Sequence, residues 1–238
     1  MTNSHIIMDK LQIKILDKKL PSHEQIVFGL LLTFVGGFFD SYTYINCNGI
    51  FANAQTGNLI FIGLALADGD FSTVLNFVPP ISAFIVGVVF NEYIIKKNIY
   101  LPIRRYINIS LLIQIFLLFF AYFVPKVYYL DTRPLIISFV CAMQFDSFRT
   151  INKIPFANTF CTGNLRSASE HIFRYIFLKE RESKVKFYIY FSLIVMFLFG
   201  VVTGSVVSYN FNHHALLLVI GVLIVDFFIA IFHDMGRV

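Results

Sequence analysis

Two aspartates stand inside apolar sequence in matching surroundings, Asp40 in FFDSY and Asp146 in QFDSF. An ionised carboxylate in hydrocarbon costs at least ~2.5 kcal/mol on insertion scales, so each must face a protein interior and find a partner there. Two chemistries fit: coupling to a proton or cation, and capping of a nearby loop by hydrogen bonds. Asn46, Asn53, Asn152 and Asn158 are candidate partners, as is Arg149 for Asp146. After each aspartate comes the same polar phrase, FANAQTGNLI from Phe51 and FANTFCTGNL from Phe156. Asn53, Thr56, Gly57 and Asn58 in the first copy, and Asn158, Thr162, Gly163 and Asn164 in the second, form a candidate substrate or pore site. Their side-chain oxygens suit the capping of free backbone N–H groups at a helix start, and glycine lets a turn pass close under another backbone. Unused donors and partial positive charge at such starts favour an anion or a neutral polar solute. The aspartates pull the other way, toward a cation or a proton. Arg166 adds a charge to the second copy only, where Ile60 holds the comparable place in the first.

Other chemistries find little support. The sequence contains no GxSxG, HExxH, Walker loop or Rossmann glycine pattern, so no catalytic residue is assigned and whether the chain is an enzyme stays open. Cys47, Cys141 and Cys161 make neither a CxxC pair nor a Cys/His cluster, which removes zinc, and no cofactor is expected. The sequence pI near 9.1 would suggest nucleic acid in a soluble protein. Here hydrophobic residues make up 57% and charged residues 14% of the 238, with a mean hydropathy of +0.73, so the basic charge marks membrane-flanking loops and the partner is the lipid bilayer.

The elements that position these residues follow from apolar run length. Six segments, 25–45, 71–95, 107–124, 134–148, 187–208 and 215–232, are candidates to cross a core of ~30 Å. The fourth is the shortest and is expected to continue to Ile151. Pro79 and Pro80 in the second predict a bend. Two further segments behave differently. Residues 57–67 rise only about 16 Å as a helix and cannot span. Residues 163–177 carry Arg166, Glu170 and Arg174 at four-residue spacing, an amphipathic pattern that argues against lipid on all sides.

If both short segments are re-entrant, both termini are cytoplasmic and 17 of the 19 Lys and Arg residues lie inside, with only Lys126 and Arg133 outside. Treating both as full spans moves six of them outside, against the rule. Three crossings per half then set the halves in opposite orientation. The predicted fold class is therefore all-α: a polytopic membrane helical bundle of six transmembrane helices plus two re-entrant half-helices, built as an inverted structural repeat. Residues 1–24 form a cytoplasmic tail, 25–232 one transmembrane domain with repeats of about 25–124 and 133–232, and 233–238 a cytoplasmic end. AFIVGVV from Ala83 recurs as MFLFGVV from Met196, offset seven residues more than the TGN phrases, which predicts a second half-helix about two turns longer. Gly200 and Gly204 make a GxxxG spacing for close helix contact within the chain, with a homo-oligomer contact as its second use.

The stretches GGFFDSYTYINCNGIFANAQTGNLIFIGLALADGD and MQFDSFRTINKIPFANTFCTGNLRSASE resemble the YoaK-like family of multi-pass membrane proteins, over about residues 25–232. The resemblance implies a bacterial cytoplasmic membrane location and supplies no established activity. Three functions follow from the residues. The first is a small-solute or ion transporter or channel with a central site at two opposed TGN turns. The second is a membrane scaffold or sensor acting through cytoplasmic residues 171–186. The third is an intramembrane enzyme using Asp40 and Asp146 as an acid/base pair.

Overall fold

The computed structural model describes residues 20–97, 103–124, 131–156 and 161–235; most of the expected N-terminal tail, and Asn158, lie outside them. A single 3-10 turn, Ser22–Glu24, leads into α1 (Ile26–Asn46), α2 (Gln55–Ala67), α3 (Phe71–Lys97), α4 (Ile103–Phe123) and α5 (Arg133–Ser147). A two-residue-per-strand hairpin follows, β1 (Thr150–Ile151) with β2 (Ile154–Pro155). The chain then forms α6 (Cys161–Phe177), α7 (Arg181–Phe211), a second 3-10 turn (Asn212–Ala215) and α8 (Leu216–Met235).

Four stretches are long and apolar enough to cross a membrane: Ile26–Asn46, Phe71–Lys97, Tyr106–Phe123 and Arg181–His233. The last holds two helices, because Asn212 at φ 51° takes a left-handed conformation and breaks α7 from α8. The protein is thus an all-α, multi-pass membrane bundle. α3 is assigned without a break through Pro79 and Pro80. α5 has 15 residues and rises about 22 Å. It does not continue to Ile151 as expected: Asn152 and Lys153 adopt φ 47° and 61°, the paired positive angles of a tight hairpin turn, and the chain reverses there. The Asn152 N–H donates to Glu24 O at 2.8 Å, tying the hairpin to the first 3-10 turn.

Burial separates the helices into an interior and a flank. In α1, 83% of the spanning window is buried, against 17% in α3, so α1 is the central strut. α1 packs most extensively on α7, and α3 on α5. Glycine makes both contacts close. A Cβ at Gly37 would collide with the Phe197 carbonyl, and one at Gly200 with that of Phe34; at Gly87 it would lie 2.8 Å from Phe139 O. Gly200 and Gly204 therefore serve packing inside the chain, Gly204 lying against Phe38 and Ser41.

The remaining contacts follow a pattern. α2 packs on α3 as α6 packs on α7, α4 packs on α5 as α8 packs on α1, and α4 packs on α8. The seven-residue excess between the halves divides in two. α6 has 17 residues against 13 in α2, and the other three precede Gly200 in α7 relative to Gly87 in α3. α6 is one turn longer than α2, and α7 starts one turn earlier than α3.

Candidate functional site

Asp40 faces the interior late in α1 and accepts hydrogen bonds from the backbone N–H groups of Asn53 at 2.7 Å and Ala54 at 3.2 Å. Its neighbours complete the grip. Thr43 Oγ1 donates to Phe39 O at 2.9 Å and accepts from the Ala52 N–H at 3.1 Å, and Asn53 Nδ2 donates to Gly36 O at 2.9 Å. Three successive N–H groups of the Phe-Ala-Asn turn are thus held by α1, and the two buried side chains Asp40 and Asn53 lock α1 and the turn together. No side chain caps α2, whose first turn follows Ala54. Instead Asn58 turns back: its Oδ1 accepts from Phe51 N at 3.0 Å and its Nδ2 donates to Phe51 O at 2.7 Å. Thr56 stays exposed on the opposite edge.

Asp146 has different surroundings. Its Oδ1 pairs with Arg149 Nη2, and its Oδ2 accepts from Asn91 Nδ2 at 2.8 Å. Arg149 also reaches Glu92 at 2.6 Å and is largely exposed. From Asn91 the network runs inward. Tyr106 Oη donates to Asn91 Oδ1 at 2.6 Å and lies 2.7 Å from Ser147 Oγ; Ser147 lies 3.2 Å from Ser110 Oγ, which accepts from Gln114 Nε2 at 3.0 Å. The two equivalent carboxylates therefore do different work, and the sequence shows why. Aligning AFIVGVV with MFLFGVV sets Asn91 opposite Gly204, and a side chain at Gly204 would strike Ser41 Oγ. Arg149 corresponds to Thr43. The first half spends its carboxylate on backbone donors, the second on an arginine and an amide.

The expected site residues are spread over several surroundings. Asp40, Asn53 and Asn58 gather around the first turn, Asp146 belongs to the Arg149 and Asn91 network, and Asn164 is buried on α6. Thr56, Thr162 and Gly163 lie exposed at the starts of α2 and α6, Gly57 is half-buried against Phe51, and Arg166 is exposed on α6. Asn46 does not serve Asp40, since its amide donates to Tyr42 O at 3.1 Å, and Asn152 sits in the hairpin turn. Asn158 lies outside the described residues. Among the described residues α2 packs chiefly on α3 and α6 on α7. Missed from the sequence were Asn91, Tyr106, Ser110 and Gln114. The last three recur every four residues on one face of an apolar helix, a polar stripe that could have been found.

Two cavities flank the membrane ends. One of about 450 Å³ is lined by Asn152, Lys153, His171, Glu182, Lys186 and Tyr190, among others. His171 stacks on Tyr190, and burial, with the Lys186 charge behind it, holds its imidazole below the usual histidine value. At the opposite end a cavity of about 70 Å³ lies beside Cys47, Asn76, Pro79 and Asp131. There Asp131 accepts from Arg133 Nε at 2.8 Å and Nη2 at 2.5 Å. Burial opposes ionisation of Asp131, but the Arg133 bonds outweigh it and hold the carboxyl below the usual carboxylate range. No group of three metal-binding side chains occurs among the described residues.

Residues 28–229 match the family described as "Protein of unknown function (DUF1275)". The chain is also similar to the UPF0700 transmembrane protein YoaK of Bacillus subtilis (strain 168), 23% identical over 192 residues, which are 77% of this chain and 84% of that one. No solved structure matches it. The match spans both aspartates, both half-helices and all but the ends of the bundle, and the chain belongs to the DUF1275 family of membrane proteins.

Proposed function

We propose that the protein moves a small solute or ion across the bacterial cytoplasmic membrane, as a secondary transporter or channel, with both termini cytoplasmic. The observation that carries this reading is the pairing of helices. Exchanging α1–α4 with α5–α8 maps each of the principal contacts onto another: α1 with α7 onto α5 with α3, α2 with α3 onto α6 with α7, and α4 with α8 onto itself. That exchange supports an inverted repeat of six crossings and two half-helices, the architecture in which transporters place solute sites at broken helices. The exposed Thr56 edge of α2 and the exposed Thr162-Gly163 edge of α6 would line the path, with the Asn58 bonds to Phe51 fixing the first turn in place. α1 is the strut both halves share, since it grips the first turn through Asp40 and packs on α7.

The test is reconstitution in liposomes, reading solute-driven swelling and ion flux for wild type and for Thr56→Val with Thr162→Val, which leaves the Asn58 and Asp40 bonds intact. Protein-dependent flux that the double variant reduces is the expected result. A broad solute and ion panel without protein-dependent flux overturns the reading.

A second reading rests on the 450 Å³ cavity lined by Lys153, His171, Glu182 and Lys186, which suits a scaffold or sensor that engages a polar partner. The intramembrane enzyme requires Asp40 and Asp146 to share a pocket, and their carboxylates belong to separate networks.

A further inference from the structure

We infer that Asp226, in α8, is an exchangeable-proton site inside the bundle, served by the hydroxyl groups of Tyr106, Ser147 and Ser110. Leu216, Val219, Leu223, Asp226 and Ala230 form the buried stripe that α8 turns toward its neighbours, so Asp226 occupies a core position. It is fully buried, and neither carboxylate oxygen has a hydrogen-bond partner. Asp40 and Asp146 differ, each being bound to donors. Arg166, exposed on α6, does not pair with it. A bare ionised carboxylate in such a place is far more costly than the neutral acid, whereas an apolar residue would cost nothing, and an intramembrane acid kept under that penalty reads as a proton carrier.

The elements packed on α8 are α1, α4 and the two 3-10 turns. Among the described side chains, their titratable groups are Asp40, Tyr42 and Tyr44 on α1, Tyr106 and Tyr122 on α4, His23 and Glu24 before α1, and His213 and His214 before α8; α4 also carries Arg104 and Arg105 in its first turn. Among the described residues none of them bonds Asp226.

Register supplies the route. Tyr122 Oη meets His214 Nδ1 at 2.9 Å, which pins the ends of antiparallel α4 and α8 together. Twelve residues from each of these, roughly 18 Å along each helix, lie Ser110 and Asp226. The two residues are thus level. Gln114, one turn away on the same α4 stripe, is fully buried with its Oε1 also unpartnered. From Ser110 the hydroxyls of Ser147 and Tyr106 lead to Asn91 and Asp146, next to exposed Arg149. A proton from water at that end enters at the Tyr106 hydroxyl or that of half-buried Ser147, the Asn91 amide only orienting them, and passes when each hydroxyl accepts one proton and donates its own. The last transfer forms the O–H bond of neutral Asp226 and takes a small shift of α8 or one bridging water; release reverses it.

This names the proton as the coupling ion of the transport reading and rests on it only for purpose, since proton binding is measured without flux. Infrared spectra of the purified protein in lipid nanodiscs report protonated carboxyl groups. Expected is a protonated-carboxyl band that is lost in Asp226→Asn, kept in Asp40→Asn, and displaced in Asp226→Glu, which keeps the acid if the amide fails to fold. Tyr106→Phe and Ser110→Ala should keep the band but slow its hydrogen–deuterium exchange by roughly tenfold or more. A spectrum unchanged in Asp226→Asn overturns the site, and exchange at the wild-type rate in both hydroxyl variants overturns the route. A band that responds as expected in a protein without flux sinks the transport reading alone.

Discussion

Removing the Asp40 carboxylate isolates what holds the first half-helix. In Asp40→Ala the N–H groups of Asn53 and Ala54, now bonded at 2.7 and 3.2 Å, lose their acceptor in the interior. Each buried donor left bare costs ~1–3 kcal/mol, so the two together destabilise the turn by ~2–6 kcal/mol before relaxation. Even the lower bound accelerates local opening roughly 30-fold, since ~1.4 kcal/mol is tenfold. Asp40→Asn keeps an acceptor oxygen of the same reach and should change opening less than about tenfold. The assay is amide hydrogen exchange by mass spectrometry in nanodiscs, following peptides that cover residues 51–58, with Asp146→Ala as the control that leaves them alone. Equal exchange of those peptides in wild type and Asp40→Ala would refute the anchoring argument, because among the described residues no other side chain accepts from those two N–H groups.

Glycine substitutions should split by sign. Gly200→Ala drives a methyl into the Phe34 carbonyl and should lower stability by ~1–3 kcal/mol, whereas Gly221→Ala meets open space and should raise it by up to ~1 kcal/mol, both read from thermal unfolding in detergent. Asp70, at the turn between α2 and α3, accepts from Ser72 and Thr73, and these bonds hold its carboxyl at about 2. Its contribution is complete above its unfolded value of ~3.9 and is lost as pH falls toward 2, so Asp70→Asn should flatten that acid limb of the unfolding curve. His171 also loses its contribution on acidification, in a higher pH range. Its native value lies below ~6.5, so the unfolded state binds the extra proton and the α6–α7 contact weakens as pH drops through and below that value; a His171 ring titrating at or above it in NMR would contradict the burial argument.

The helices were legible because their signals are local. Apolar runs bounded by charge or glycine located all eight, although the run 187–208 missed the first six residues of α7, and an 11-residue run was enough to mark the short helix that the structure extends to Gln55–Ala67. Where a local signal was overlooked the reading failed: Asn152-Lys153 is a turn pair, and passing over it stretched α5 to Ile151. The roles of the aspartates could not be read in the same way. Asn91 meets Asp146 across 55 positions, and the difference between the two carboxylates depends on Gly204 filling the place that Asn91 has in the other half. Only the pairing of α1 with α7 and of α3 with α5 brings those residues to the aspartates, and no spacing along the chain encodes it. Asp226 falls inside the apolar run 215–232. That its oxygens have no partner is a property of the packed bundle.

The opposed orientation of the two halves underlies the transport reading, and single-cysteine labelling tests it most directly. Cys47, Cys141 and Cys161 are replaced, and one cysteine is set at Asp68, at the end of α2, or at Arg181, just after α6; both positions are exposed. A membrane-impermeant maleimide added to intact cells should label Asp68→Cys and reach Arg181→Cys only after the membrane is opened. Equal labelling of the two in intact cells would place both half-helix ends on one side and contradict the inverted arrangement.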